Sequence, residues 1–272
     1  MPIFVLPFPQ IDPILIEFGP LAIRWYAIAY IAGLVLGWKL AFAVASRPRL
    51  WGQRTPPTHA TIDDLLVYMA LGIVIGGRLG HVVFYEFSYY FTHPGEIFAI
   101  WHGGMAFHGG LIGACVGLIL LAQNHKTSIL ALTDMAAIVS PIGLFFGRLA
   151  NFINGELWGR PSDIPWAMVF PRADDQPRHP SQLYEAALEG LLIFIIIGLI
   201  ARSGGLKRPG LLSGLFGILY AAARTICEFY RDPDPISEQL GGGLTMGMAL
   251  STPLAVIGFW LVWRSFKTVA KS

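Results

Sequence analysis

Seven stretches of this chain are apolar over a length that matches the hydrocarbon core of a bilayer, and that feature most narrows what it can fold into. They cover residues 20–45, 64–86, 104–123, 129–150, 182–201, 211–230 and 246–265. About 20 apolar residues cross the core as an α-helix. Backbone N–H and C=O groups find no water there, so each stretch must close its own hydrogen bonds. The runs are too long and too uniformly apolar for barrel strands, whose two faces alternate. The expectation is an all-α integral membrane protein of seven transmembrane helices, one polytopic domain over 1–272. A chain of 272 residues with 54% apolar and 13% charged residues carries more hydrocarbon than one soluble core absorbs.

Charge orients the bundle. The loops after spans one, three, five and seven hold Arg47, Arg49 and Arg54; Lys126; Arg202, Lys207 and Arg208; and Arg264, Lys267 and Lys271, while Lys39 closes span one. These are eleven of the 19 basic residues and include every lysine. By the positive-inside rule those loops are cytoplasmic, which places the N-terminus outside and the C-terminus in the cytoplasm. The outward segments are then 1–19, 87–103, 151–181 and 231–245. The third, between helices four and five, has five prolines and two tryptophans. It is long enough to be an outer-face loop region or small head, since long ordered loops tend to be functional. The first 19 residues carry Asp12, Glu17 and four prolines and lack the basic start of a cleavable signal, so they are expected to stay and to lie along the outer interface.

Other residue classes exclude more than they suggest. Cys115 and Cys227 fall inside spans three and six, where small polarizable side chains fill packing space rather than form a disulfide framework. The seven histidines show no metal-ligand spacing, and neither a metal nor a cofactor is expected. A formal net charge of +2 says little by itself, and no nucleic-acid partner is expected.

The eight remaining basic residues, Arg24, Arg78, Arg148, Arg160, Arg172, Arg178, Arg224 and Arg231, are all arginines in outer segments or in helices near them. A guanidinium grips a phosphodiester bidentately and keeps its charge when desolvated. The split therefore points to anion recognition at the outer leaflet. Arg78, Arg148 and Arg224 sit inside spans, each behind small residues. A charge there costs about 2.5–3.5 kcal/mol on insertion scales, so each should face the bundle interior or an aqueous cavity. A structural ion pair or snorkelling is the competing reading, most open for Arg78, which has no motif around it.

Three helical patterns carry candidate chemistry. In span six Tyr220, Arg224, Glu228 and Arg231 follow at spacings of four, four and three, a polar stripe in apolar sequence. Arg224 and Glu228 stand at i,i+4 spacing, and a pair kept for stability alone stays open beside a functional stripe. Span five presents Gln182, Glu185 and Glu189 on one face, read as support for the site. Span three begins near His108 and continues with Gly109, Gly113 and Gly117, a four-residue repeat that lets a neighbouring helix approach closely. An ionisable group at that depth is a functional candidate, and a satisfied structural histidine is the alternative.

The densest pattern is Gly147-Arg148-Leu149-Ala150-Asn151-Phe152-Ile153-Asn154-Gly155-Glu156-Leu157-Trp158-Gly159. It resembles the signature of prolipoprotein diacylglyceryl transferases, G-R-x-[GA]-N-F-x-N-x-E-x-x-G, at every specified position. Trp25-Tyr26, Gly76-Gly77-Arg78, Phe107-His108-Gly109-Gly110, the segment Arg178 to Glu185 and the segment Tyr220 to Arg231 look like further blocks of that family in its order. Arg24 is a departure, standing where a histidine precedes the Trp-Tyr pair in many members.

The resemblance implies catalytic roles for His108, Arg148, Arg224 and Tyr26. It implies substrate binding by Arg148, Asn151, Glu156, Gly159, Tyr220, Glu228 and Arg231. The implied reaction transfers a diacylglyceryl group from phosphatidylglycerol to the lipobox cysteine of a prolipoprotein signal peptide, forming a thioether and releasing glycerol phosphate. The partners are then that lipid, that peptide and the surrounding membrane lipids, in a bacterial cytoplasmic (inner) membrane with the active site toward the outer leaflet. His108 is read either as the general base or as an orienter of phosphate and hydroxyls. The rival reading is a transporter or channel for an anionic or lipid substrate, because intramembrane arginines also line anion paths.

Overall fold

The computed structural model describes residues 6–9, 11–19, 21–232 and 244–269, without the side chains of Phe18, Leu21, His102, Phe107, His108, Thr268 and Val269. Among them the long helices are α1 (Trp25–Ala45), α2 (His59–Phe84), α3 (Phe107–Asn124), α4 (Ile129–Ile153), α5 (Ser181–Arg202), α6 (Leu211–Glu228) and α7 (Met246–Val269). Six of these, all but α3, are long and apolar enough over described residues to cross a membrane; α3 contributes a shorter apolar stretch, Gly109–Asn124. The molecule is therefore a multi-pass helical membrane protein. Its exterior is inverted relative to a soluble fold, with Ile31, Leu34, Leu71, Ile112, Val256 and Phe259 all exposed. Such an apolar surface calls for lipid as its solvent.

The chain forms two compact units. The smaller, residues 45–48 and 53–133, is built on α2 and α3. Their contact is made by glycines. A Cβ added at Gly72 would meet the carbonyl oxygen of Gly113, one at Gly76 that of Gly109, and one at Gly117 that of Tyr68. The four-residue glycine repeat of α3 thus does what its spacing predicts, with Gly72, Gly76 and Gly80 of α2 as the complementary row. Leu65, Leu121, Ala122 and Leu132 close the apolar core. Thr58 caps α2, its hydroxyl accepting from the Thr61 N–H at 3.1 Å.

Within this unit Arg78 has a structural task. It donates to the carbonyls of Glu96 (2.7 Å), Ile97 (2.8 Å), Ala99 (3.3 Å), Gly103 (2.5 Å) and Gly104 (3.2 Å), pinning the connection between α2 and α3. These carbonyls belong to a 3-10 turn and the irregular chain after it, so one guanidinium gathers five backbone acceptors from the connection between the two helices.

The larger unit holds residues 1–44, 49–52 and 134–272. Here the first span differs from expectation. The helix starts at Trp25 rather than near residue 20, because β1 (Ile14–Phe18) pairs antiparallel with β2 (Leu21–Arg24) in a hairpin whose Gly19 has φ +57°. The described part of the N-terminal segment packs against residues 151–181. Leu6 bridges Met168, its N–H reaching the Ala167 carbonyl at 3.1 Å, and Phe8 packs between Phe152 and Phe170 at 5.3 and 5.1 Å. The segment 151–181 adds a second small hairpin, β3 (Met168–Val169) with β4 (Pro177–Arg178).

Close contacts set the helices of this unit, among them two that involve α4. Gly33 of α1 faces Gly143 of α4, where a Cβ would lie 3.2 Å from the opposite Cα. Asp134 of α4 is fully buried and caps α6, accepting from Gly210 N at 2.9 Å, Ser213 N at 3.0 Å and Ser213 Oγ at 2.8 Å. It supplies acceptors for N–H groups that a helix start leaves unpaired. Cys227 is buried in α6, whereas Cys115 of α3 is exposed.

Candidate active site

Three helices of the larger unit contribute to one charged cluster. Arg148 comes from the last turns of α4, Glu185 and Glu189 from α5, and Arg224 and Glu228 from α6. Between Ala186 and Leu192 helix α5 widens to a π-helix, a local irregularity often found at functional sites. Both α5 carboxylates are 0% exposed. Charges so placed must find counter-charges, and they do.

Arg148 Nε stands 3.1 Å from Glu185 Oε2, and its Nη2 donates to Glu189 Oε2 at 3.3 Å. Arg224 Nη1 donates to Glu185 Oε1 at 2.7 Å and lies 3.7 Å from Glu189 Oε1, while its Nη2 pairs with Glu228. Arg231 Nη1 donates to the same Glu185 Oε1 at 3.0 Å. Three guanidiniums and three carboxylates form one network, with Glu185 touching every arginine.

Glu185 and Glu189, read as support, hold the arginines, and Glu185 is the hub. One expectation is corrected. Arg231 does not extend the α6 stripe as a helical residue, since α6 ends at Glu228. It pairs with Gly159 in a short bridge, and its side chain still turns back to Glu185. The Arg224–Glu228 pair is present as the spacing suggests. Two carboxylates four residues apart inside an apolar span were the available signal for the hub, because such charges are costly without partners.

Around the network the segment after α4 is stapled to the start of α5. Asn151 Nδ2 donates to Glu156 Oε1 at 2.8 Å. Gln182 Nε2 donates to the Glu156 carbonyl at 2.7 Å, and Ser181 Oγ to that of Leu157 at 3.1 Å. Gly159 N–H reaches the His179 carbonyl at 2.9 Å, and Arg178 Nη1 donates to the Gly159 carbonyl at 3.0 Å. A Cβ on Gly159 would run into the Tyr230 carbonyl and His179, which explains the glycine by packing. Gly155 at φ +61° makes the turn in between.

The aromatic candidates lie nearby in the same unit. Tyr30 donates to the Tyr26 hydroxyl at 3.4 Å, with ring centroids 4.9 Å apart, and Tyr30 feels the charges of Arg148 and Glu156. Tyr220 stacks on Phe216 and lies within electrostatic range of Glu189, Arg224 and Arg148. The His108 side chain lies outside the described residues; its backbone opens α3 in the smaller unit. Among the described residues no group of three or more His, Cys, Asp or Glu gathers in a metal-binding arrangement.

Outside the spans, Arg178 forks onto Asp174, with bonds of 3.0 and 2.7 Å, and lies 3.4 Å from Asp232. The Arg178 hydrogen bonds hold the Asp174 carboxyl below its ordinary value of 3.8, and Asp174 in turn raises Arg178. Burial lowers His179 from 6.5.

Comparison with known proteins gives the site a context. A family model described as prolipoprotein diacylglyceryl transferase matches residues 13–264. A relative in Methylocella silvestris named phosphatidylglycerol–prolipoprotein diacylglyceryl transferase is 57% identical over 267 residues, covering 98% of this chain and 98% of that protein. Proteins of the same name in Beijerinckia indica and Rhodopseudomonas palustris are 55% and 51% identical, the first covering 97% of both chains, the second 97% of this chain and 94% of its own.

Proposed function

The chain belongs to the prolipoprotein diacylglyceryl transferase family, and from that premise we propose that it transfers the diacylglyceryl group of phosphatidylglycerol to the lipobox cysteine of prolipoproteins. The peptide sulfur forms a bond to the glyceryl carbon that carries the phosphate, and the carbon–oxygen bond to phosphate breaks. Glycerol phosphate leaves, and the thiol proton passes to a base. The observation that carries the reading is the meeting of Arg148, Arg224 and Arg231 on Glu185.

Substitution at an sp3 carbon needs a thiolate and a stabilised leaving group. A phosphodiester gains charge as it becomes a monoester, so guanidiniums held beside it bind the transition state more strongly than the ground state. Arg148 and Arg224 fill this catalytic role. Glu185 and Glu189 hold them in place, and Arg148 engages the two glutamates through Nε and Nη2, so that among the described residues Nη1 is the atom available to reach the lipid phosphate. Asn151, Glu156, Tyr220, Glu228 and Arg231 bind or position the donor, Gly159 acts through its backbone, and Tyr26 contributes a hydroxyl. His108 takes the thiol proton, on the strength of the family resemblance and an imidazole's titration range. A His108→Gln enzyme with near-normal turnover and an unchanged pH profile would remove that role.

In the membrane we place the Phe107–Asn124 helix as a seventh span, with the N-terminus outside, the C-terminus in the cytoplasm, and the site facing the outer leaflet of a bacterial inner membrane. The distribution of lysines supports this. The whole chain then acts as one polytopic domain, with 151–181 as an outer head that receives the prolipoprotein. The deciding assay combines purified protein, phosphatidylglycerol vesicles and a synthetic lipobox peptide. A diacylglyceryl mass gain on the peptide cysteine is expected. Lipid or ion flux without covalent product would overturn the reading.

A further inference from the structure

Helix α5 carries three buried acceptor atoms that receive no aligned hydrogen bond from the described residues, Gln182 Oε1, Glu185 Oε2 and Glu189 Oε1; the last two lie near guanidiniums, at 3.1 Å from Arg148 Nε and 3.7 Å from Arg224 Nη1. Gln182 is 0% exposed, and its Nε2 donates to the Glu156 carbonyl at 2.7 Å. That bond fixes the amide, because only its NH2 end can face a carbonyl oxygen. Oε1 must then point the other way, and among the described residues it accepts no hydrogen bond. Glu189 Oε1 is likewise without an aligned donor, Arg224 Nη1 lying 3.7 Å away. Residues 182, 185 and 189 share one helical face. Thus the open acceptors of Gln182 and Glu189 flank Glu185, the hub of the arginine network, and Gln182 Oε1 is the one of the three with no guanidinium recorded beside it among the described residues.

Buried acceptors are normally hydrogen-bonded, so a donor is called for here. A phosphodiester brings none through its own oxygens. The glycerol headgroup brings two hydroxyls, on the second and third carbons from the phosphate oxygen. Gln182 lies about one helical turn, roughly 5 Å along the axis, from Glu185. A headgroup attached to a phosphate at the arginines extends over that distance.

We infer that Gln182 is a specificity-determining residue that reads the lipid headgroup, its Oε1 accepting a hydrogen bond from a glycerol hydroxyl of the donor. A headgroup without hydroxyls leaves that acceptor unpaired in a desolvated site, which penalises the wrong lipid rather than merely failing to reward it. The Gln182–Glu156 bond sets the geometry, so Glu156 acts partly through its backbone. This inference rests on the transferase reading above.

The test compares kcat/KM for phosphatidylglycerol with that for phosphatidylpropanol, which keeps the phosphodiester and the propyl carbons but has no headgroup hydroxyl. The expected wild-type preference is at least about tenfold for the hydroxylated lipid. In Gln182→Met, which keeps length without an acceptor, this ratio falls by about tenfold. The main loss should be with phosphatidylglycerol and not with the analogue. A ratio unchanged within about twofold overturns the inference, as does a wild-type enzyme indifferent to the two lipids. Should Gln182→Met not fold, Gln182→Asn, which withdraws the acceptor by one methylene, is read in the same way. Failure of the wild type to modify the peptide at all would sink the transferase reading instead, so the two failures are distinguishable.

Discussion

Arg224 donates to Glu185 at 2.7 Å across 39 residues of chain, and the carboxylate it meets has no exposure to solvent. A single buried pair of this kind seldom adds net stability, since desolvating both charges offsets their attraction. Here the same oxygen also receives Arg231 at 3.0 Å, and the other oxygen faces Arg148. The network therefore orients three guanidiniums at once, and its worth lies in preorganisation rather than in stability alone.

Breaking the hub should be costly. Glu185→Ala removes the carboxylate that, among the described residues, Arg148, Arg224 and Arg231 share, and leaves buried positive charge uncompensated. A loss of about 3–5 kcal/mol is expected, seen as a lower Tm in detergent together with lost transfer activity. An unchanged Tm would show that the arginines find other partners.

Replacing either clamp arginine by lysine keeps the charge but loses the planar fork. Arg148→Lys and Arg224→Lys should each lower kcat/KM by about 100-fold in the peptide assay, with the protein still folded. Near-normal turnover by either variant would remove that residue from the phosphate site.

Arg78 should behave differently. Its five carbonyl contacts bind the segment between α2 and α3. Arg78→Lys cannot reach that many acceptors, and a loss of about 1–3 kcal/mol in stability is expected. The check is thermal unfolding, accompanied by faster amide exchange in residues 94–104.

The α2–α3 contact leaves no room for side chains at its glycines. Gly76→Leu or Gly113→Leu would drive a side chain into the opposing backbone, and about 1–3 kcal/mol or more should be lost. Gly95, with open space around its Cα, tolerates alanine in the same measurement.

Acid should loosen the segment around Arg178 in two steps. His179 has its folded value lowered below 6.5 by burial, so the unfolded chain takes up the proton first. Its stabilising contribution is whole above 6.5 and is lost as pH falls through the lowered value. Asp174, lowered from 3.8 by Arg178, contributes above 3.8 and is lost as pH falls through its own lowered value. Amide exchange across residues 159–178 should show both steps, and Asp174→Asn should abolish the lower one only.

Much of this protein was legible before any coordinates. The bilayer admits only segments that satisfy their own backbone, so the hydrophobic runs mark the helices to within a few residues. The glycine repeat at Gly109, Gly113 and Gly117 announced a close helix contact, and the pattern from Arg148 to Glu156 pointed to a candidate site, whose Arg148 the structure joins to the carboxylates of α5. The hairpin before Trp25 was missed because its strands, Ile14–Phe18 and Leu21–Arg24, are as apolar as the span that follows. Glu185 was undervalued because a carboxylate's partners, when they come from α4 and α6, leave no mark in local spacing.

The order of residues alone determined that this chain lives in a membrane and carries the family's signature, because hydrophobicity and short motifs are local properties. Only the tertiary structure decided which arginines share a carboxylate, which one merely ties down a loop, and where an amide oxygen is left without a donor. Those are questions of distance between helices remote in sequence, and in a medium that hardly screens charge, distance sets what each ionic group can do.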